Sequence, residues 1–308
     1  MRAVVVQPDG ARHSSLLGDE GLGGLADAAT ASVITPWLRD LLGSDIESCV
    51  VTPVRYRPGR RCVLRYDVAT AGGPAVLFGK VLPTAEAAEL AAILTALGPG
   101  FTARVAGIAP QWGLVVQADT GGNSLSHIAK GAVSTDDLVD VTAAAHLLAH
   151  LHARTDPQAP VRTLQRDAED VMEFIPACKR FAPGVARRLG DVAASAAAQP
   201  GGGSTAPAHG AFRLDQVHTT ASAPVLIDID SYCFAEPERD LGNLLAYLDW
   251  RALRRPGVRE GVREVRHAFL DGYQQASRRG VDLERLGAYE AVSLLKIAGR
   301  RYPRLKSS

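Results

Sequence analysis

Three runs rich in Val, Leu and aromatic residues, Cys49 to Tyr56, Cys62 to Val68 and Ala75 to Leu82, are separated by the turn signals Pro58-Gly59 and Gly72-Gly73-Pro74. Runs of this length broken by Gly and Pro predict three antiparallel strands joined by hairpins. Thr84 then caps a helix over 85–97, with Leu90, Ile93, Leu94 and Leu97 on one face and Pro99-Gly100 as its stop. A further strand pair is expected over 101–108 and 113–118, ending at the Gly121-Gly122 turn. Beyond that turn the spacing is helical, over 136–153, 164–198, 240–253, 262–278 and 283–301, with short strands near the acidic pair Asp228 and Asp230. The order is α+β: a small strand-rich lobe over 49–120 and a larger helical one over 121–308. Residues 1–48 read as an extension, with a strand-like piece at Met1 to Pro8 and a helix around Pro36 to Leu42.

A chain of 308 residues buries a full core and suits two lobes. Its 34 basic and 33 acidic side chains leave a net charge of +1, so no global field favours nucleic acid or an anionic membrane. No apolar run approaches a membrane span, and Met1 to Pro8 is not a signal peptide, which implies a soluble cytoplasmic protein. Cys49, Cys62, Cys178 and Cys233 form no Cys-x-x-Cys pair and read as reduced, small hydrophobic residues. His146, His150 and His152 share a helix without a His-Glu-x-x-His pattern, so they read as structure. Lysine occurs at only five positions, which makes Lys80, inside Val76-Leu77-Phe78-Gly79-Lys80-Val81-Leu82, an unusual residue. Alternation puts it on one face with Val76, Phe78 and Leu82, where an ammonium needs an anionic partner.

Two segments carry the chemistry. One is His209-Gly210-Ala211-Phe212-Arg213-Leu214-Asp215-Gln216-Val217, and the other is Leu226-Ile227-Asp228-Ile229-Asp230. Together they resemble the catalytic loop and metal-binding strand of the aminoglycoside phosphotransferase and choline kinase family, whose pattern is His-Gly-Asp, four variable residues, Asn, then an apolar-Asp motif. The resemblance covers roughly residues 50 to 300 and implies a two-lobed protein-kinase-like fold that uses ATP, or another nucleoside triphosphate, with magnesium. It departs at two positions: Ala211 stands where the family has its catalytic Asp, and Gln216 where it has a metal-binding Asn.

Carried over residue by residue, the resemblance implies that Lys80 positions phosphates and pairs with Glu86 or Glu89 on the next helix, Glu86 being favoured as part of the inward stripe. The turn Tyr56 to Arg61 stands where the family covers its nucleotide, so Arg60 and the backbone amides around Gly59 are candidate phosphate contacts; an ordinary exposed hairpin is the alternative. Gln117 falls in the stretch similar to the interlobe linker, whose backbone meets adenine. Asp228 is the first metal ligand and Gln216 offers an amide oxygen in place of Asn, with Asp230 as a second ligand or as a group orienting the first. His209, which opens the catalytic loop, is carried over as a catalytic candidate, Asp215 is the candidate replacement base, and Arg213 is a candidate charge for the transferred phosphoryl group or else a surface residue. Asp240 in Glu236-Pro237-Glu238-Arg239-Asp240 is implied to buttress the loop. The acceptor is a hydroxyl of a small molecule or a modified peptide. The rival expectation is a pseudokinase that recognises a ligand or a protein partner without phosphoryl transfer.

Overall fold

The structure, a computed structural model, describes residues 18–301 apart from Ala129, Asp156, Pro157, Phe181 and Gly202. The strand expected over Met1 to Pro8 lies outside them. The chain divides into two compact units between Gly121 and Gly122.

The first unit is built on one antiparallel sheet of order β1-β2-β3-β5-β4, from β1 (Ile46–Arg57), β2 (Arg61–Thr70), β3 (Gly73–Val81), β4 (Val105–Ala109) and β5 (Leu114–Ala118). Its hairpins lie where the Pro-Gly and Gly-Gly signals stand. Alternation sends Cys62, Leu64, Tyr66 and Val68 of β2, and Leu77 and Val81 of β3, to one buried face. That face packs on Leu22, on Leu25 and Ala28 of helix α1 (Leu25–Ala29), and on Ile34 and Leu38 of helix α2 (Ala31–Leu42). Gly79 is required where the Tyr66 ring crosses β3, because a Cβ there would lie 2.6 Å from that ring. The opposite face carries Val63, Arg65, Phe78, Lys80, Val115 and Gln117, with Lys80 paired across the sheet to Val63 on one side and Val115 on the other. Helix α3 (Thr84–Leu97) follows and buries Ala87, Leu90, Ala91, Leu94 and Leu97.

The second unit is mainly helical: α4 (Thr135–His152), α5 (Leu164–Met172), α6 (Ile175–Lys179), α7 (Pro183–Ala197), α8 (Glu238–Arg254), α9 (Arg259–Ala276) and α10 (Leu283–Arg301). A reciprocal capping box starts α4, with Ser134 Oγ accepting the Asp137 amide at 3.2 Å and Asp137 accepting the Ser134 amide at 2.8 Å. Two short ladders hold the loops that matter. Strand β7 (Ala206–Ala208) pairs with β10 (Cys233–Ala235), and β8 (Val217–Thr219) lies between β6 (Asn123–Ser124) and β9 (Val225–Leu226). The two segments singled out by sequence are thus the β7–β8 and β9–β10 connections.

Candidate active site

In the second unit, a loop whose main chain makes few ladder bonds must find partners elsewhere. Here Asp240, fully buried in the first turn of α8, provides them. Its carboxylate accepts the amides of His209 at 2.6 Å, Gly210 at 2.9 Å and Phe212 at 3.4 Å. His152 Nε2 donates to the same carboxylate at 3.3 Å, and His152 Nδ1 accepts from the Tyr273 hydroxyl at 2.7 Å. Burial works against the charge on Asp240, and the His152 contact together with nearby cationic character outweighs it, holding the carboxyl below its ordinary range. The buttressing role expected for Asp240 is what the geometry displays.

Neighbouring groups on α8 complete the clamp. Arg239 donates to the Gly210 carbonyl and binds Asp167 on α5 through Nε at 2.6 Å. Asn243 Nδ2 donates to the Phe212 carbonyl at 2.8 Å. Asp167 also receives Arg162 at 2.7 Å and Lys296 at 2.8 Å, and these cations overcome the burial that opposes its charge, so its carboxyl lies far below the ordinary range. Gly210 has φ +82, and a Cβ there would meet the Ser231 carbonyl oxygen at 1.8 Å. No other residue fits that position.

The expectation that His209 acts in the chemistry needs correction. It is fully buried, its Nε2–H donates to the Ile227 carbonyl at 3.1 Å, and its ring lies edge-on to Phe212. His209 therefore ties the loop to the backbone just ahead of Asp228 and has no access to a substrate.

The main chain of Gln216 is brought against the residue that precedes Asp228. Val217 pairs with Leu226, and one step further the Ile227 amide donates to the Gln216 carbonyl at 2.9 Å. Asp228 has φ +59, and among the described residues it is the one non-glycine in the left-handed region, a strain that a fold retains where the side chain must be aimed. Gln216 is 4% exposed, and its Oε1 is buried with no hydrogen-bond partner. An unpartnered amide oxygen and the carboxylate of Asp228 are hard-oxygen donors of the kind that fit magnesium. Among the described residues no three His, Cys, Asp or Glu side chains gather as a metal site, and one Asp with one amide falls outside that pattern. Asp230 is half-buried two residues on.

Arg213 and Asp215 engage each other: Arg213 Nε and Nη2 donate to the two Asp215 oxygens at 2.8 and 3.3 Å, and the guanidinium lies 4.7 Å from the centre of the Tyr247 ring. Burial disfavours the Arg213 charge, but the Asp215 contact and the fields of Asp215 and Asp228 raise its pKa overall. Asp215 is exposed, so the candidate base is solvated and already neutralised.

In the first unit three further expectations change. Glu86 lies on the exposed side of α3, because Ala87 and Ala91 share the buried stripe with the leucines and turn it away from Glu86. The amides around Gly59 are already used: Gly59 N–H donates to Asp19 at 2.7 Å and Arg60 N–H to the Arg57 carbonyl at 3.0 Å, leaving the exposed Arg60 side chain as the group that could meet a phosphate. Gln117 sits inside the ladder between β3 and β4, so its main chain serves the sheet; its side chain shares the face of Lys80 and donates to the Ala103 carbonyl at 2.8 Å. Lys80 is half-buried, on the face opposite the main core.

The sequence reading missed Arg239, Asn243 and Tyr247. Their signal was present, since Asp240, Asn243 and Tyr247 recur at helical spacing on α8 and share one face.

No protein-family model matches this sequence, and no curated protein matches it. Solved structures do match in fold. A macrolide 2'-phosphotransferase type I aligns with TM-score 0.59 and 16% identity, covering 89% of this chain and 93% of that one. A choline/ethanolamine kinase family protein from Mesorhizobium loti aligns with TM-score 0.55 and 17% identity, covering 83% and 80%. An amicoumacin kinase in complex with AMP-PNP, Ca2+ and Ami aligns with TM-score 0.52 and 16% identity, covering 82% and 81%. The chain has the α+β, protein-kinase-like fold of these small-molecule phosphotransferases.

Proposed function

We propose that the protein is a kinase-like phosphotransferase that uses ATP, or another nucleoside triphosphate, with magnesium and acts on a hydroxyl of a small molecule or modified peptide, its usual catalytic Asp being replaced by Ala211. The observation that carries this reading is the buried, unpartnered Gln216 Oε1 on a residue whose main-chain carbonyl accepts the Ile227 amide, one position ahead of Asp228. Asp228 and Gln216 would hold the metal, and Asp230 would serve as a second ligand or orient the first. When bound, magnesium neutralises charge on the nucleotide phosphates. Lys80, on its half-buried sheet face, supplies a fixed positive charge for phosphate, and Arg60 a second at the hairpin tip. Arg213, held by Asp215 and Tyr247, keeps a guanidinium beside Asp228 where negative charge would build up. Among fold neighbours, the complex with AMP-PNP and Ca2+ supports nucleotide and divalent metal use. The near-neutral charge supports a small acceptor over nucleic acid, and no helix of the described residues is long and apolar enough to cross a membrane.

A specific observation favours a second reading, a pseudokinase that binds nucleotide or a protein partner without transfer. Ala211 cannot accept a proton, and Asp215 is paired with Arg213 by both oxygens. Positioning and charge stabilisation still leave a slow transfer without a base. Calorimetric titration with ATP and magnesium tests the first requirement of the enzyme reading: magnesium-dependent binding supports it, and an inert protein overturns it.

A further inference from the structure

Beside the Arg213–Asp215 pair the second unit has a recess lined by Leu125, Ser126, Tyr247 and Arg251 as well as that pair. Its charges do not balance. Asp215 is its one acidic side chain, and Arg213 occupies both of its oxygens. Arg251 is half-buried in the wall with its guanidinium 5.3 Å from the centre of the Trp250 ring, and among the described residues no carboxylate pairs with it. Arg254 lies over the same ring at 5.4 Å. At the rim, Lys130 Nζ donates to the Ser126 hydroxyl at 3.2 Å. Within the lining, Arg213 and Asp215 offset each other and Arg251 is left as the excess charge. Stacking on Trp250 holds the Arg251 guanidinium in place before any ligand arrives.

We propose that this recess is the acceptor subsite, and that its acceptor is a small hydroxy compound bearing a carboxylate or phosphate, received by Arg251. The inference rests on the phosphotransferase reading and narrows its substrate class. A guanidinium presents paired donors that match either anion, and a partly enclosed wall weakens its screening by salt. A polycationic acceptor would meet Arg251 with the one acid of the lining already held by Arg213. The Tyr247 ring and Leu125 provide a face for the carbon skeleton, and Arg213 and Asp215 stand on the loop directly ahead of Gln216, whose carbonyl accepts the Ile227 amide next to Asp228.

The test uses the full chain and calorimetry in two steps, ATP with magnesium first, then acceptor probes in the presence of saturating ADP and magnesium. The probes are glycerol 3-phosphate, D-glycerate, glycerol and choline. Binding of either anion, with glycerol and choline silent, supports the proposal, and the anion that binds tells phosphate from carboxylate. Arg251→Glu should weaken that binding about tenfold or more, and Arg251→Gln serves if the reversal of charge harms folding. The same anion affinity in a folded Arg251 variant, or preferential binding of choline or glycerol, overturns it. If nucleotide binds and no anion does, the acceptor proposal fails alone; if nucleotide does not bind, the underlying reading fails with it.

Discussion

Asp240 accepts the main-chain amide of His209 at 2.6 Å, and through that contact a helix side chain sets the path of the loop that follows. Removing the carboxylate leaves three buried loop amides and the His152 ring without their acceptor. Asp240→Ala is expected to cost about 3 to 5 kcal/mol, the range for breaking a buried charged contact. A thermal midpoint lowered by roughly 10 °C would meet that expectation; an unchanged midpoint would mean the clamp is dispensable.

Magnesium-dependent nucleotide affinity should depend more on Asp228 than on Gln216, because a carboxylate contributes charge as well as an oxygen donor. Asp228→Asn should remove most of the magnesium-dependent gain, and Gln216→Ala only part of it, as read by titrations with and without the metal. The opposite ranking would move the metal away from Asp228.

Lys80 lies on the sheet face away from the main core, so Lys80→Ala should leave the fold intact. Loss of a charge-assisted phosphate contact costs about 1.5 to 3 kcal/mol, or roughly 10- to 100-fold in ATP affinity. Unaltered affinity in a folded variant would remove Lys80 from the site.

Ala211→Asp restores a carboxylate to the loop and should raise phosphoryl transfer or ATP hydrolysis by about 10²-fold or more if a base is what the site lacks. Should Asp215 already serve as base, Asp215→Ala would abolish turnover and Ala211→Asp would add little. Nucleotide binding with zero turnover in every variant would favour the pseudokinase reading.

Arg266 on α9 is shared by Asp249 on α8, at 3.0 Å, and Glu290 on α10, at 2.8 Å. Burial first, and then the contact with Glu290, push the Asp249 carboxyl up to about 6. The folded protein then binds a proton the unfolded chain has released, so this site's stabilisation is full below about pH 4 and is lost as pH rises through 6. Linkage alone would make the effect about 3 kcal/mol, and screening at a side chain 38% exposed reduces it to about 1 kcal/mol. Asp249→Asn should therefore unfold at a higher temperature than the parent at pH 7.5, with the difference closing near pH 4.

The strands from Cys49 to Leu82 were legible because alternation and turn residues agree there, and the Gln216–Asp228 neighbourhood was legible because both residues stand in short local motifs. Glu86 was misplaced for a physical reason: in an alanine-rich helix the buried stripe can rotate by one residue without changing its apolar count, and Ala87 and Ala91 take the inward positions. His209 shows a different limit, since a buried structural histidine and a reactive one look alike in sequence. Two of the three cations around Asp167, Arg239 and Lys296, are 72 and 129 residues away along the chain, and no local pattern reports contacts of that span.

The segment ahead of β1 covers one face of the sheet with Leu22, Leu25, Ala28, Ile34 and Leu38, each at most 1% exposed. Asp19 adds a tether, accepting from Gly59 N–H at 2.7 Å and from the Tyr56 hydroxyl at 2.8 Å. A recombinant fragment starting at Ile46 would keep every strand of the sheet yet present one side of it bare to water, an apolar surface prone to self-association. The smallest piece of this unit able to fold alone thus begins at or before Asp19, and peptides designed on the strands alone would be insoluble surrogates for it.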